Sequence, residues 1–178
     1  LRTDLVREAT EALEAATQLV DAAIVRLAKA EEVFVEEDAV YLMPFYYAEI
    51  GVANRMKELV ANPRSRLEEF RALDWSSAFA WIAQKNQIAL AAKQQAAVKT
   101  ALTSKVSVLT GGPGTGKTTS VRALIQLLKA KRQTFKLAAP TGRAAKRLSE
   151  ATGEAAQTLH RLLEFKPFEG NKFLRDRD

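Results

Sequence analysis

Apolar residues recur every three to four positions through the first part of the chain. Leu5, Ala9, Ala12, Leu13, Ala16, Leu19, Val20, Ala23 and Leu27 share one face of this period, which predicts one or two amphipathic helices over about the first 30 residues. The period then shortens to two. Val33-Phe34-Val35 and Val40-Tyr41-Leu42 flank the polar run Glu36-Glu37-Asp38, the pattern of a β-hairpin over 33–42. Helices followed by such a hairpin are compatible with a small winged-helix-like module. Pro44 suits the first turn of the next helix, where its missing N–H leaves no bond unmade, and Ile50, Ala53, Met56, Leu59 and Val60 form an apolar stripe along it. Asn62-Pro63-Arg64-Ser65 ends that helix. Two helical pieces follow, one through Leu67, Phe70 and Leu73, the other from Asp74 or Ser76 through Phe79, Trp81 and Ile82. The rings of Trp75 and Trp81 read as core packing in preference to a base-stacking platform.

From near Ile88 the pattern becomes α/β. Val106, Val108 and Leu109 lie in a short β-branched run that predicts a buried strand, and Val121, Leu124, Ile125 and Leu128 then recur at helical spacing. Phe135-Lys136-Leu137-Ala138-Ala139 predicts a second strand, and Pro140-Thr141-Gly142-Arg143 a turn entering another helix. The expected division is a mainly helical accessory region, 1–87, followed by an α/β unit with parallel strands, 88–178.

Charge is segregated along this pattern. The net charge of +6 arises from residues 93–149, which hold 12 Lys and Arg and no Asp or Glu, whereas residues 1–92 hold 10 basic and 15 acidic groups. Such a stretch points to a polyanionic ligand, with a solvated basic face as the plain alternative. The chain has no cysteine and one histidine, His160, which excludes disulfides, cysteine-ligated metal centres and multi-histidine metal sites. No apolar run reaches the roughly 18 residues that a membrane helix needs. These features fit a cytoplasmic protein that makes no use of a membrane.

Between the first strand and its helix stands Gly111-Gly112-Pro113-Gly114-Thr115-Gly116-Lys117-Thr118, followed by Thr119. It matches GxxxxGK(S/T) in the required strand, loop, helix setting. The glycines let backbone N–H groups turn inward around phosphates, and the helix N-terminus adds its positive dipole end. Lys117 supplies a mobile charge for the β- and γ-oxygens, and the Thr118 hydroxyl is placed to ligate magnesium. Residues 112–119 are therefore the expected site for a magnesium-nucleoside triphosphate, with Lys117 and Thr118 its chemical residues.

Taken with Pro140-Thr141-Gly142-Arg143-Ala144-Ala145 and Thr158-Leu159-His160-Arg161-Leu162-Leu163, this loop resembles the RecD-like (RecD/TraA) family of superfamily one DNA helicases. The resemblance is strongest over 88–165. It implies a RecA-like phosphate-loop NTPase domain, ATP as the nucleotide, and single-stranded DNA and duplex junctions as partners in repair or recombination. It further implies that Gln95, or Gln94 one register away, reads the adenine edge. Pro140, Thr141, Gly142 and Arg143 would grip the DNA backbone, and His160 would approach it, although a histidine beside Leu159 and Leu162 is as readily a packing residue. Lys146 and Arg147 are weaker candidates on the same helix. By family analogy translocation runs from 5′ toward 3′, alone or within a recombination complex.

A translocating helicase also needs an acidic pair at a strand end, a glutamine that senses the γ-phosphate, and arginines from a second motor domain. None of these is legible in the sequence. In the family the acidic pair follows shortly after a segment like Phe173-Leu174-Arg175-Asp176. The expectation is an amino-terminal helicase fragment, truncated before that strand, that binds nucleotide and DNA without turnover. Two alternatives belong to other classes: a non-helicase phosphate-loop phosphotransferase, and a non-catalytic DNA-binding module.

Overall fold

The computed structural model describes residues 1–87, 89–168, 170 and 172–175. Ile88, where the α/β unit was expected to begin, and Asp176 lie outside them. The chain forms two compact units, Leu1–Pro63 and Arg64–Asp178.

In the first unit, α1 (Arg2–Leu13) and α2 (Thr17–Lys29) pack together and lead into an antiparallel hairpin, β1 (Val33–Glu36) with β2 (Ala39–Leu42). Val20 and Ile24 on α2 are its buried apolar residues. The hairpin is the one the 33–42 alternation predicts. Pro44 stands in the first turn of α3 (Met43–Ala61), and Phe34 on β1 stacks on Tyr46 with ring centroids 3.8 Å apart. The helical period of α3 is as expected, but burial is not: none of its residues is buried, and Leu59 and Val60 are 53% and 65% exposed. Periodicity reports which residues share a face. Whether anything covers that face is a tertiary fact.

In the second unit, a 3₁₀ turn at Glu68–Phe70 and α4 (Trp75–Asn86) precede α5 (Ala92–Thr103) and α6 (Lys117–Ala130). Phe70 and Ile82 are fully buried and join Leu90, Val98, Leu102, Ala123, Leu127 and Leu128 in one core. Burying side chains of this size contributes about 1.5–3 kcal/mol each. Contacts therefore divide the chain at Pro63 and Arg64, not at 87 and 88. The segment 64–87 lacks any phosphate-loop motif, yet its apolar residues supply part of the second unit's core. Trp75 packs against that core, whereas Trp81 departs from expectation at 38% exposed.

The chain continues through β3 (Leu137–Ala139), α7 (Gly142–Thr152) and β4 (Ala156–Thr158), with β3 and β4 parallel, as in a βαβ crossover. α8 (Leu159–Leu162) and a short hairpin, β5 (Phe165–Lys166) with β6 (Lys172–Phe173), follow. The buried strand expected over 106–109 is not formed: no described strand pairs with this segment, and Val108 is 80% exposed. A parallel strand is held by ladder bonds to its neighbours. β-branched composition alone provides none. No helix among the described residues is long and apolar enough to cross a membrane.

Candidate nucleotide and DNA site

The glycine loop obtains its shape from residues without side chains. Gly114 and Gly116 have φ of 74° and 79°, and Gly116 is the N-cap of α6. A Cβ on Gly111 would stand 2.8 Å from Thr115 Oγ1, which itself donates to the Gly112 carbonyl at 2.9 Å. No side chain caps α6. Its first-turn N–H groups, those of Lys117, Thr118 and Thr119 among them, are thus directed at the loop interior without an intrahelical partner.

Lys117 Nζ donates to the carbonyls of Gly111 at 2.5 Å and Gly112 at 2.7 Å. The ammonium is folded over the loop, satisfied by the backbone that would surround a phosphate. Beside it is a cavity of about 280 Å³ lined by Lys93, Gln94, Gly111, Thr115, Lys117 and Ser120 among others, and no lining residue is acidic. An uncapped helix start, two cationic side chains and glycines that leave backbone accessible are a donor set suited to a triphosphate. Thr118 is exposed at the second position of α6, and Thr119 beside it is exposed as well.

The two glutamines part company. Gln94 accepts from the Ala91 N–H at 2.9 Å, and its Nε2 lies 3.5 Å from the Thr115 carbonyl oxygen, within the cavity wall. Gln95 turns back instead, donating to the Leu90 carbonyl at 2.9 Å. The geometry brings Gln94 to the loop and leaves Gln95 closing the start of α5. Consecutive helical residues diverge by about 100°, so one register step decides which amide faces the glycine loop.

The second cluster stands at the carboxyl ends of the parallel strands. Ala139 and Thr158 are register partners, so Pro140 and Leu159 leave the sheet side by side. Crevices at that end of a parallel sheet are where α/β folds place ligands. Thr141 is the N-cap of α7, its Oγ1 accepting from Ala144 N–H at 3.2 Å while the hydroxyl proton stays available. Pro140, Thr141, Gly142 and Arg143 are exposed, and Arg143 has no ion pair among the described residues. His160 is exposed but engaged: its ring meets Phe165 edge-on at 5.1 Å and Phe173 at 5.9 Å. Packing thus accounts for part of its role. Lys146 pairs at 4.0 Å with Glu150 on its own helix.

These features define a unit of the phosphate-loop NTPase fold, and residues 94–178 match the family model described as an AAA domain. The chain is 36% identical over 139 residues to the ATP-dependent RecD2 DNA helicase of Deinococcus radiodurans, covering 78% of this chain and 18% of that protein. To the RecBCD enzyme subunit RecD of Mycolicibacterium smegmatis it is 43% identical over 104 residues, 46% of this chain and 19% of the relative. To the RecBCD enzyme subunit RecD of Haemophilus influenzae it is 49% identical over 65 residues, 35% of this chain and 10% of the relative. The chain belongs to the RecD-like helicase family and spans less than a fifth of the length of these relatives.

Proposed function

We propose that this chain is the nucleotide- and single-stranded-DNA-binding part of an ATP-dependent DNA helicase that translocates from 5′ toward 3′ in repair or recombination. The observation that carries the reading is the pairing, in one unit, of an uncapped glycine loop holding Lys117 with an exposed Thr141 and Arg143 turn at a parallel strand end. The loop backbone and Lys117 hold the phosphates, Thr118 ligates magnesium, and Gln94, in place of Gln95, reads adenine. The Thr118 hydroxyl would hold the magnesium ion, which would supply positive charge to the triphosphate. Thr141 and the amides after Gly142 donate to DNA phosphates, and Arg143 adds a charge-assisted contact.

Two titrations test this. Lys117→Ala should weaken magnesium-ATP binding about tenfold or more, the scale of a lost charged hydrogen bond at ~1.5–3 kcal/mol. Binding of a single-stranded oligonucleotide should fall steeply with salt as counterions are released. Equal nucleotide affinities in calorimetry, or DNA binding indifferent to salt, would overturn the reading.

A further inference from the structure

Trp81 is exposed at the edge of a separate cavity. This cavity, of about 390 Å³, is lined by Trp81 and Lys85 of α4, Arg122 and Lys129 of α6, and Glu154 after α7. It shares no lining residue with the cavity beside the glycine loop. Three cations face one carboxylate. Lys129 Nζ is bound by Glu154 Oε1 at 2.5 Å, so that pair is internally compensated. Lys85 lies over the indole with its ammonium 4.7 Å from the ring centroid, and Arg122 has no acidic partner among the described residues. Two uncompensated cations therefore meet at an aromatic wall. The wall is braced: Asn86 and Gln126, the latter itself in the cavity lining, exchange amide hydrogen bonds at 2.9 and 2.8 Å that tie α4 to α6.

We propose that this cavity is a second nucleic-acid contact, taking a backbone phosphate between Lys85 and Arg122 with a base or sugar against the exposed part of Trp81. A small inorganic anion would use the two cations but leaves the indole without a role. A nucleotide strand uses both, since stacking on an aromatic ring and phosphate neutralisation together characterise single-strand grooves. The inference rests on the reading that this chain works on DNA. It adds a face that the glycine loop and the 140–143 turn do not contain.

The test is a salt titration of a fluorescently labelled oligonucleotide, single-stranded in one arm and duplex in the other, with the 178-residue chain. Lys85→Gln with Arg122→Gln, which together lose that one phosphate contact, should lower the slope of log affinity against log salt by about 0.7 for the single strand, or about 0.9 for duplex. Both side chains are exposed, so the fold is expected to survive; circular dichroism checks it. Trp81→Leu should weaken binding about fivefold or more at fixed salt, as loss of a stacked base does, with little change in slope. Lys129→Gln is the control, with a smaller effect because Glu154 already neutralises it. Magnesium-ATP binding should be unaffected throughout. If the slope is unchanged in both arms while Arg143→Ala lowers it, the second contact is overturned and the proposed function stands. If no variant lowers the slope, both fall.

Discussion

The side-chain amide of Gln94 occupies the space that a Cβ on Gly116 would need: its Nε2 lies 2.0 Å from the ideal Cβ position. The loop's last glycine and the first turn of α5 are thereby fitted to each other across 22 residues of sequence. Gly116→Ala forces Gln94 outward and also places a side chain at φ 79°, a conformation costing roughly 1–2 kcal/mol. The variant should lose nucleotide affinity and melt at lower temperature than wild type. Gln94→Ala in the same background should recover little, because the backbone strain stays. Calorimetry together with thermal melts checks both expectations.

Replacing either glutamine separates recognition from helix support. Gln94→Ala should reduce the preference for ATP over GTP by removing the amide at the cavity wall. Gln95→Ala should leave that preference unchanged while loosening the start of α5, where its Nε2 holds the Leu90 carbonyl. Competition binding with the two nucleotides distinguishes the roles, and an equal loss of preference in both variants would reject the assignment to Gln94.

At the 140–143 turn, Arg143→Ala should lower the salt slope for single-stranded DNA by about 0.7, the value of one lost phosphate contact. Thr141→Ala acts twice, removing a phosphate donor and the cap on Ala144 N–H, so it should also destabilise the protein by ~1 kcal/mol. Thr141→Ser retains both functions. Rescue by serine in binding and in denaturant unfolding is the expected outcome.

Hydrolysis should be negligible in a protein of these 178 residues. Lys117 can hold a γ-phosphate, but no acidic residue lines the adjoining cavity to orient water. An arginine finger alone contributes about a thousandfold or more in phosphoryl transfer. DNA-stimulated phosphate release that Lys117→Ala abolishes would contradict this account.

Asp74 ties stability to pH at the start of α4. It accepts from the Ser77 hydroxyl at 2.5 Å and from the Ser76 and Ser77 N–H groups at 3.1 and 3.4 Å. The Ser77 hydroxyl bond, followed by the backbone bonds, holds its carboxyl below the ordinary carboxylate range, and desolvation only partly opposes them. A lowered folded pKa means that this contribution is fully present above the unfolded value of about 3.9 and is lost as pH falls through the folded value. Asp74→Asn, which can still cap, should melt less steeply with pH across that acid window than wild type.

The sequence by itself determined the local elements and the phosphate loop. Helical and alternating periods are short-range properties, so α1, α2, the 33–42 hairpin and α3 follow from them. Gly114 and Gly116 sit where φ must be positive, and Lys117 and Thr118 begin a helix whose apolar period is plain. Only the tertiary structure decided what those elements face. Burial depends on partners distant in sequence, which is why the stripe on α3 stays exposed while Phe70 and Ile82 enter the core of the second unit. The lack of a ladder partner among the described strands left 106–109 unpaired, one step of helical register set Gln94 and not Gln95 against the glycine loop, and the packing of α4 on α6 brought Trp81 to a basic cavity. Each is a long-range contact, and no local pattern encodes its partner.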